Sequence, residues 1–228
     1  KNDYKKNTKG ESKMNFDQET SNFLAELKEK ARENYIPVVR DKTAERLGEV
    51  CHLRRPKKIL EIGTAVGYSG LIMLKSCDGE LVTIEKDTTR GEQAQENFSK
   101  AGVLPRVRLI LDDAQKTIER LQEDGEKFDF VFLDGPKGQY KNYYPALKKL
   151  LKTSGILFCD NLNLLGFVKI EGQIPHKHRS MVNHLREFVD MLKNDADFET
   201  EFYDIDDGFS ISTCLLYTSP SPRDTERS

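Results

Sequence analysis

The chain contains no tryptophan, and no apolar run in it approaches the roughly 18 residues a helix needs to cross a bilayer. Its four cysteines, Cys51, Cys77, Cys159 and Cys214, stand far apart and form no C-x-x-C pair, which argues against a thiolate zinc site or a disulfide framework and leaves isolated reduced thiols. Nor is there a surplus of one charge. The 36 Lys and Arg residues against 38 Asp and Glu give a net charge of −2, so the whole molecule is no electrostatic magnet for nucleic acid. A local basic patch stays open, because steering depends on where the charges lie as well as on their sum. Internal repeats and an interdomain linker are also missing. Lys1 to Lys13 is polar and lysine-rich and offers no apolar core for a secretory signal, so a cytoplasmic location is the default expectation.

What is present fits one domain of ordinary size: 228 residues, 37% hydrophobic and 32% charged, enough to bury a central sheet between two helix layers. Residues 1–13 lack hydrophobic periodicity and are followed directly by Met14, so they are expected to be a disordered or non-native leader. From Cys214 the sequence resembles the in-frame translation of a transposase-type sequencing adaptor, and residues 214–228 are set aside as a disordered tail. The domain is expected over residues 14–213.

Within it, apolar residues recur at helical spacing over Phe16 to Tyr35 and Asp41 to Leu53, with Pro37 between them. An alternation follows: strand Lys58–Ile62, helix Tyr68–Ser76, strand Glu80–Glu85, helix Thr88–Ala101, strand Val107–Leu111, helix Ala114–Leu121, strand Phe128–Leu133, helix Tyr140–Leu151 and strand Gly155–Cys159. A last helix, Arg179 to Leu192, leads to extended segments at Glu199–Ile205 and Phe209–Thr213. Near-continuous apolar strands such as Phe130 to Leu133 and Ile156 to Cys159 imply burial on both faces, the mark of a parallel sheet covered by crossover helices. The expected fold is a doubly wound, mostly parallel α/β sheet with one late antiparallel strand and helices on both faces.

The first core strand gives way to a helix through Glu61-Ile-Gly63-Thr-Ala-Val-Gly67-Tyr-Ser69. Gly63 allows a tight turn and Gly67 a close ligand approach to the backbone. This is neither the dinucleotide fingerprint nor a phosphate-binding P-loop. An acidic residue before the loop suits a ligand carrying positive charge. Glu85, at the end of the next strand, can take both hydroxyls of a ribose, and Asp112-Asp113-Ala114 ends the strand after that. In this order the residues resemble the class I S-adenosylmethionine-dependent methyltransferases, which have a Rossmann-like sheet. The resemblance implies Glu61, Gly63, Ser69, Glu85, Asp113 and Ala114 as cofactor contacts.

Two further strands end in Asp134 and in Asp160-Asn161. Adjacent strands would bring these tips together at the carboxyl edge of the sheet, where open α/β folds bind ligands. Two carboxylates and an amide oxygen make a hard, all-oxygen set that suits Mg²⁺ or Mn²⁺ better than zinc. The pattern Asp134-x-x-Lys137-x-x-Tyr140 followed by Asp160-Asn161 resembles the cation-dependent O-methyltransferases, including the catechol and caffeoyl-coenzyme A enzymes, over about Tyr35 to Thr213. That resemblance implies Asp134, Asp160 and Asn161 as metal ligands, with Asp134 also near the cofactor, and Lys137 as general base. Gly135-Pro136 departs from the usual residues but keeps the spacing. The chemistry explains the residue types. A hydroxyl must lose its proton before it attacks a methyl sulfonium, and a cation with a nearby lysine promotes that loss.

Within this family the chain is most similar to the bacterial branch that methylates 5-hydroxyuridine at the tRNA wobble position. The likeness rests on Ile36-Pro-Val-Val39, the glycine loop, Lys137-Gly-Gln-Tyr140 and Asp160-Asn161 followed by Leu164-Leu-Gly166. It implies Val39 as a cofactor contact, the tRNA anticodon loop as partner, and a homodimer. The basic segment His176-Lys177-His178-Arg179, with Arg186 on the helix after it, fits phosphate contact. A small catechol-like or acyl-coenzyme A acceptor is the other option, and an inactive cofactor-binding scaffold is the reading from another class.

Overall fold

The computed structural model describes residues 4–5, 16–164, 166, 168 and 174–215. Most of the 1–13 leader, and residues 216–228 of the tail, lie outside the described residues. The strands are β1 (Tyr4–Lys5), β2 (Lys58–Ile62), β3 (Glu80–Glu85), β4 (Val107–Leu111), β5 (Phe128–Leu133), β6 (Leu151–Cys159), β7 (Phe198–Tyr203) and β8 (Phe209–Cys214). The helices are α1 (Gln18–Glu33), α2 (Asp41–Arg54), α3 (Tyr68–Ser76), α4 (Thr88–Lys100), α5 (Ala114–Glu123), α6 (Tyr140–Leu150) and α7 (His176–Asn194). Among the described residues no helix is long and apolar enough to cross a membrane.

One sheet runs in the order β1-β7-β8-β6-β5-β2-β3-β4. β2 pairs in parallel with both β3 and β5, so the chain winds outward in one direction from β2 and then in the other, placing the switch point between β2 and β5. β8 is antiparallel to both its neighbours, β6 and β7, as expected for the single late antiparallel strand.

Side-chain alternation along the strands splits the core in two. Ile59, Phe130, Phe132, Ile156 and Phe158 point to the face covered by α1 to α4. Leu60, Ile62, Val131, Leu133 and Leu157 point to the face covered by α5 to α7. Both sets are nearly all buried, which explains why these strands read as unbroken apolar runs.

β1 lies within the expected leader and pairs with β7, and several element ends shift by one to four residues from the sequence reading, three of them with a clear cause. β6 begins at Leu151 rather than Gly155, because Leu151 pairs with Phe128 across a register irregularity and Ser154 takes a left-handed φ of 61°. α7 begins at His176, directly after Pro175, so the basic segment forms its first turn instead of leading into it. Proline is tolerated at a helix start, where its missing N–H has no intrahelical partner to lose. β8 continues one residue past Thr213: Cys214 pairs with Phe198 and is buried, and the Leu215 amide donates to Asp197 O at 2.8 Å.

The antiparallel strand is pinned by a ring stack. Phe209 lies between Phe158 of β6 (centroids 5.0 Å apart, 17°) and Tyr203 of β7 (4.8 Å, 14°), while the Arg46 guanidinium covers the far side of Tyr203 at 5.5 Å. Phe209→Ala is expected to destabilise the fold by about 3–5 kcal/mol in urea unfolding, as for other fully buried rings. A loss below about 1 kcal/mol would remove the stack as the anchor of β8.

Candidate active site

The tips of the central strands are tied together at the carboxyl edge by the backbone itself. Just past each strand end an amide donates to its neighbour: Gly63 N to Ile84 O (3.0 Å), Asp134 N to Ile62 O (3.0 Å), Asp160 N to Leu133 O (3.1 Å) and Asp112 N to Glu85 O (3.0 Å). Residues far apart in sequence are thereby held in one line.

Gly63 is required there. It has φ +99°, and a Cβ at this position would stand 2.5 Å from Asp134 O. Gly67 has a packing task besides the ligand approach expected of it. A Cβ there would meet the Phe98 ring at 2.9 Å, so Gly67 opens room for α4 to pack on the start of α3. Glu61 lies beneath the loop and is fully buried. It accepts hydrogen bonds from Ser69 Oγ (2.5 Å) and Thr83 Oγ1 (2.6 Å), and Thr64 Oγ1 lies 2.5 Å from Thr83 Oγ1. Burial pushes its carboxyl up to about 7 against the opposing pull of the two hydroxyls.

A cleft of about 870 Å³ opens above this edge. Of the residues expected to touch a cofactor, Gly63, Glu85, Asp113, Ala114 and Asp134 line it. Glu61, Ser69 and Val39 do not. Their side chains are buried behind the wall, and Val39 belongs to the core, although its neighbours Pro37, Val38 and Arg40 face the cleft. Glu85 is oriented by three backbone donors: Ala65 N at 2.8 Å, and Lys86 N and Asp87 N at 2.9 Å each. Asp113 caps α5 and is held below the usual carboxylate range, chiefly by its hydrogen bond from Lys86 Nζ at 3.3 Å.

At the other end of the cleft stand Asp134, Lys137, Asp160 and Asn161. Lys137, on a 3₁₀ turn after Pro136, donates to Asp134 Oδ1 at 2.5 Å, so the Gly135-Pro136 pair does not divert it. Asp160 is 1% exposed. Its Oδ1 accepts from Asn161 N (2.7 Å), while its buried Oδ2 has no hydrogen-bond partner. Burial, and next the neighbouring charge of Asp134, push the Asp160 carboxyl well above its ordinary range, with Lys137 opposing. Asn161 takes a left-handed φ of 56°. Among the described residues no group of three or more His, Cys, Asp or Glu is placed to hold a metal, so a cation site here would need the Asn161 amide as third ligand. The orphaned Asp160 oxygen and the hard oxygen donors fit such an ion.

His176, Lys177 and Arg179 are exposed on the first turn of α7 and His178 is half-buried, while Arg186 donates from Nε to Val168 O at 3.1 Å. α7 packs against the Lys137 turn, with His184 Nδ1 3.0 Å from Gly138 O. Sequence reasoning missed the basic cleft residues Arg40, Lys86 and Arg90, and gave no role to Tyr140, a buried phenol whose spacing from Lys137 was the available signal.

Because the Glu61 carboxyl has its pKa raised on folding, its stabilising contribution is complete below about 4.5 and is lost as pH rises through about 7. Glu61→Gln is therefore expected to gain on the parent chain, by on the order of several degrees in Tm, between pH 5 and 8. A gap between the two that does not widen with pH would contradict a protonation change at Glu61.

Comparison with known proteins agrees with this geometry. The O-methyltransferase family model matches residues 14–215. The chain is 32% identical over 171 residues to caffeoyl-CoA O-methyltransferase of Populus kitakamiensis, covering 72% of this chain and 73% of the relative. Among solved structures it resembles the O-methyltransferase TomG of Streptomyces achromogenes in complex with S-adenosylmethionine, at TM-score 0.76 and 26% identity, covering 90% and 92% of the two chains. It also resembles the S-adenosylhomocysteine-bound methyltransferase PaMTH1 of Podospora anserina, at TM-score 0.74 and 25% identity, covering 90% and 99%. The inactive scaffold reading gives way here. With its cofactor cleft at the switch point of a doubly wound sheet, the chain belongs to the O-methyltransferase family and is an S-adenosylmethionine-dependent enzyme.

Proposed function

We propose that this enzyme methylates the 5-hydroxyl of 5-hydroxyuridine at the tRNA wobble position, with a divalent cation, Mg²⁺ or Mn²⁺, held by Asp134, Asp160 and Asn161. The observation that carries the cation is the buried, unpartnered Oδ2 of Asp160, beside a second carboxylate at the adjacent strand tip. When bound, the cation would supply Lewis acidity that lowers the pKa of the acceptor hydroxyl and orients it through a neighbouring oxygen. S-adenosylmethionine supplies the methyl group on a sulfonium. Glu85 faces the ribose of the cofactor and Asp113 with Ala114 its adenine, while Gly63 leaves room for its amino-acid end. Glu61, Ser69 and Val39 support that end from behind the wall. In its neutral amine form, with the cation bound beside it, Lys137 would stay held at Asp134 Oδ1 and take the proton of the acceptor hydroxyl on its lone pair. Holding both reactants in line lowers the barrier by several kcal/mol, on the order of 7–11 in favourable models.

Support for a tRNA acceptor comes from α7. Lys177 and Arg179 lie in its first turn, where the helix dipole is already positive and no acidic residue offsets them. Such a placement disfavours the isolated helix end and favours a polyanion beside it. Residues 169–173, between β6 and α7, lie outside the described residues. A second reading, a small catechol-like or acyl-coenzyme A acceptor, is favoured by the caffeoyl-CoA relatives.

Incubation with S-adenosylmethionine, Mg²⁺ and either hydroxylated tRNA or a catechol, followed by mass spectrometry, separates these readings. Methylated 5-hydroxyuridine is expected; methylation of catechol alone would transfer the function to the second reading. Asp160→Ala is expected to lower metal-stimulated turnover about 100-fold or more while leaving S-adenosylhomocysteine affinity within about threefold. Unchanged turnover would strike Asp160 from the ligand set.

A further inference from the structure

Tyr140, the first residue of α6, is wholly buried, and its hydroxyl stands at the meeting point of three elements. Lys137 Nζ donates to it at 3.0 Å, and it lies 3.1 Å from Leu133 O and 3.2 Å from Asp160 O. Leu133 closes β5 immediately before Asp134, and Asp160 directly follows β6. A phenol has one proton to donate, which the two strand-tip carbonyls share, and lone pairs to accept from the ammonium.

The geometry points to Tyr140 as a positioning residue for methyl transfer: its hydroxyl fixes Lys137 against Asp134 and ties the strand tips that carry Asp134 and Asp160. Two contacts confine Lys137 Nζ, at 2.5 Å to Asp134 Oδ1 and 3.0 Å to Tyr140 Oη, with the Tyr140 ring below it at 5.3 Å. Removing the hydroxyl leaves one contact and frees a long side chain to swing. It also leaves the two carbonyls without a shared donor, so the Asp160-Asn161 turn loses its side-chain tether to β5 and keeps only the backbone bond from Asp160 N to Leu133 O. The ring itself has a separate task. It packs edge-on against Phe188 of α7 at 5.4 Å, and α7 in turn covers the Lys137 turn. The hydroxyl and the ring can therefore be separated by substitution.

This inference rests on Lys137 taking the proton, and the test keeps the two failures apart. Tyr140→Phe and Tyr140→Leu are compared with the parent chain and with Lys137→Met, using whichever acceptor the parent methylates. Phe is expected to restore the melting temperature that Leu loses and to keep S-adenosylhomocysteine affinity within about twofold, because the ring's packing is intact. Its kcat is expected to fall about tenfold or more with KM changed less than about threefold, since a misplaced base costs rate more than binding. Mn²⁺ affinity, titrated calorimetrically on the S-adenosylhomocysteine complex without turnover, is expected to weaken about threefold or more. A core-filling role alone predicts that Phe recovers kcat and Mn²⁺ affinity together with stability, and that result would overturn the proposal. If Lys137→Met keeps the parent's kcat, the base assignment falls. Loss of Mn²⁺ affinity in Tyr140→Phe would then still uphold the strand-tip tether on its own.

Discussion

Everything in this site depends on the hydrogen bonds that cross from strand to strand just beyond the last paired residues. Four amides, those of Gly63, Asp112, Asp134 and Asp160, donate to a carbonyl of the adjacent strand at 3.0 or 3.1 Å. In a buried sheet those bonds cannot be traded for water without leaving polar groups unpaired. The side chains that follow are thereby fixed relative to one another by the backbone rather than by their own contacts. The same edge explains Gly63: with Asp134 O where a Cβ would stand, no other residue lets β2 and β5 leave the sheet side by side.

On this rigid edge the protein gathers groups that would rather be apart. Asp134 and Asp160 bring two carboxylates close enough to act on each other, with Asp160 almost fully buried and Lys137 the cation set against Asp134. Repulsion and desolvation raise the free energy of the site, and the divalent cation proposed for it would relieve both at once. Glu61 is a second buried acid, but it answers to Ser69 and Thr83 and lies beneath the loop. Two acids near the same edge thus serve different ends: one keeps a buried oxygen without a hydrogen-bond partner, the other braces the glycine turn from behind.

Much of the scaffold was legible in the residues. The apolar runs of β2, β5 and β6 marked a doubly covered sheet, and the strand ends of β2 to β5 fall where periodicity and the following glycine or acid put them. What escaped detection was set by contacts across long distances. The extra residues of β6 form because Leu151 finds Phe128 across an irregular register, which no local pattern announces. The last helix was expected from Arg179 with the basic segment leading into it, although Pro175 was already a start signal for His176. In the site, residue types revealed which side chains meet, but not which way they face. Glu61, Ser69 and Val39 stand on the right segments and turn inward. Gly67 makes room for the Phe98 ring, a task its place in the glycine loop did not reveal.

Strain and charge concentrate in the same short stretch, which bears on how such a site persists. Asn161 holds a left-handed backbone next to the half-satisfied Asp160 carboxylate, a conformation that costs of order 1 kcal/mol or more for most residues but less for asparagine. The segment following it is secured by the antiparallel strand: Leu162 N donates to Gly208 O and Asn163 N to Asp207 O, each at 2.8 Å. β8, in turn, is held to the sheet by Phe209 between Phe158 and Tyr203. An unfavourable turn at the active edge is thus anchored through the last strand to an aromatic stack in the core. The late antiparallel strand, which contributes no side chain to the walls of the cleft, is therefore part of what fixes Asp160 and Asn161 in place.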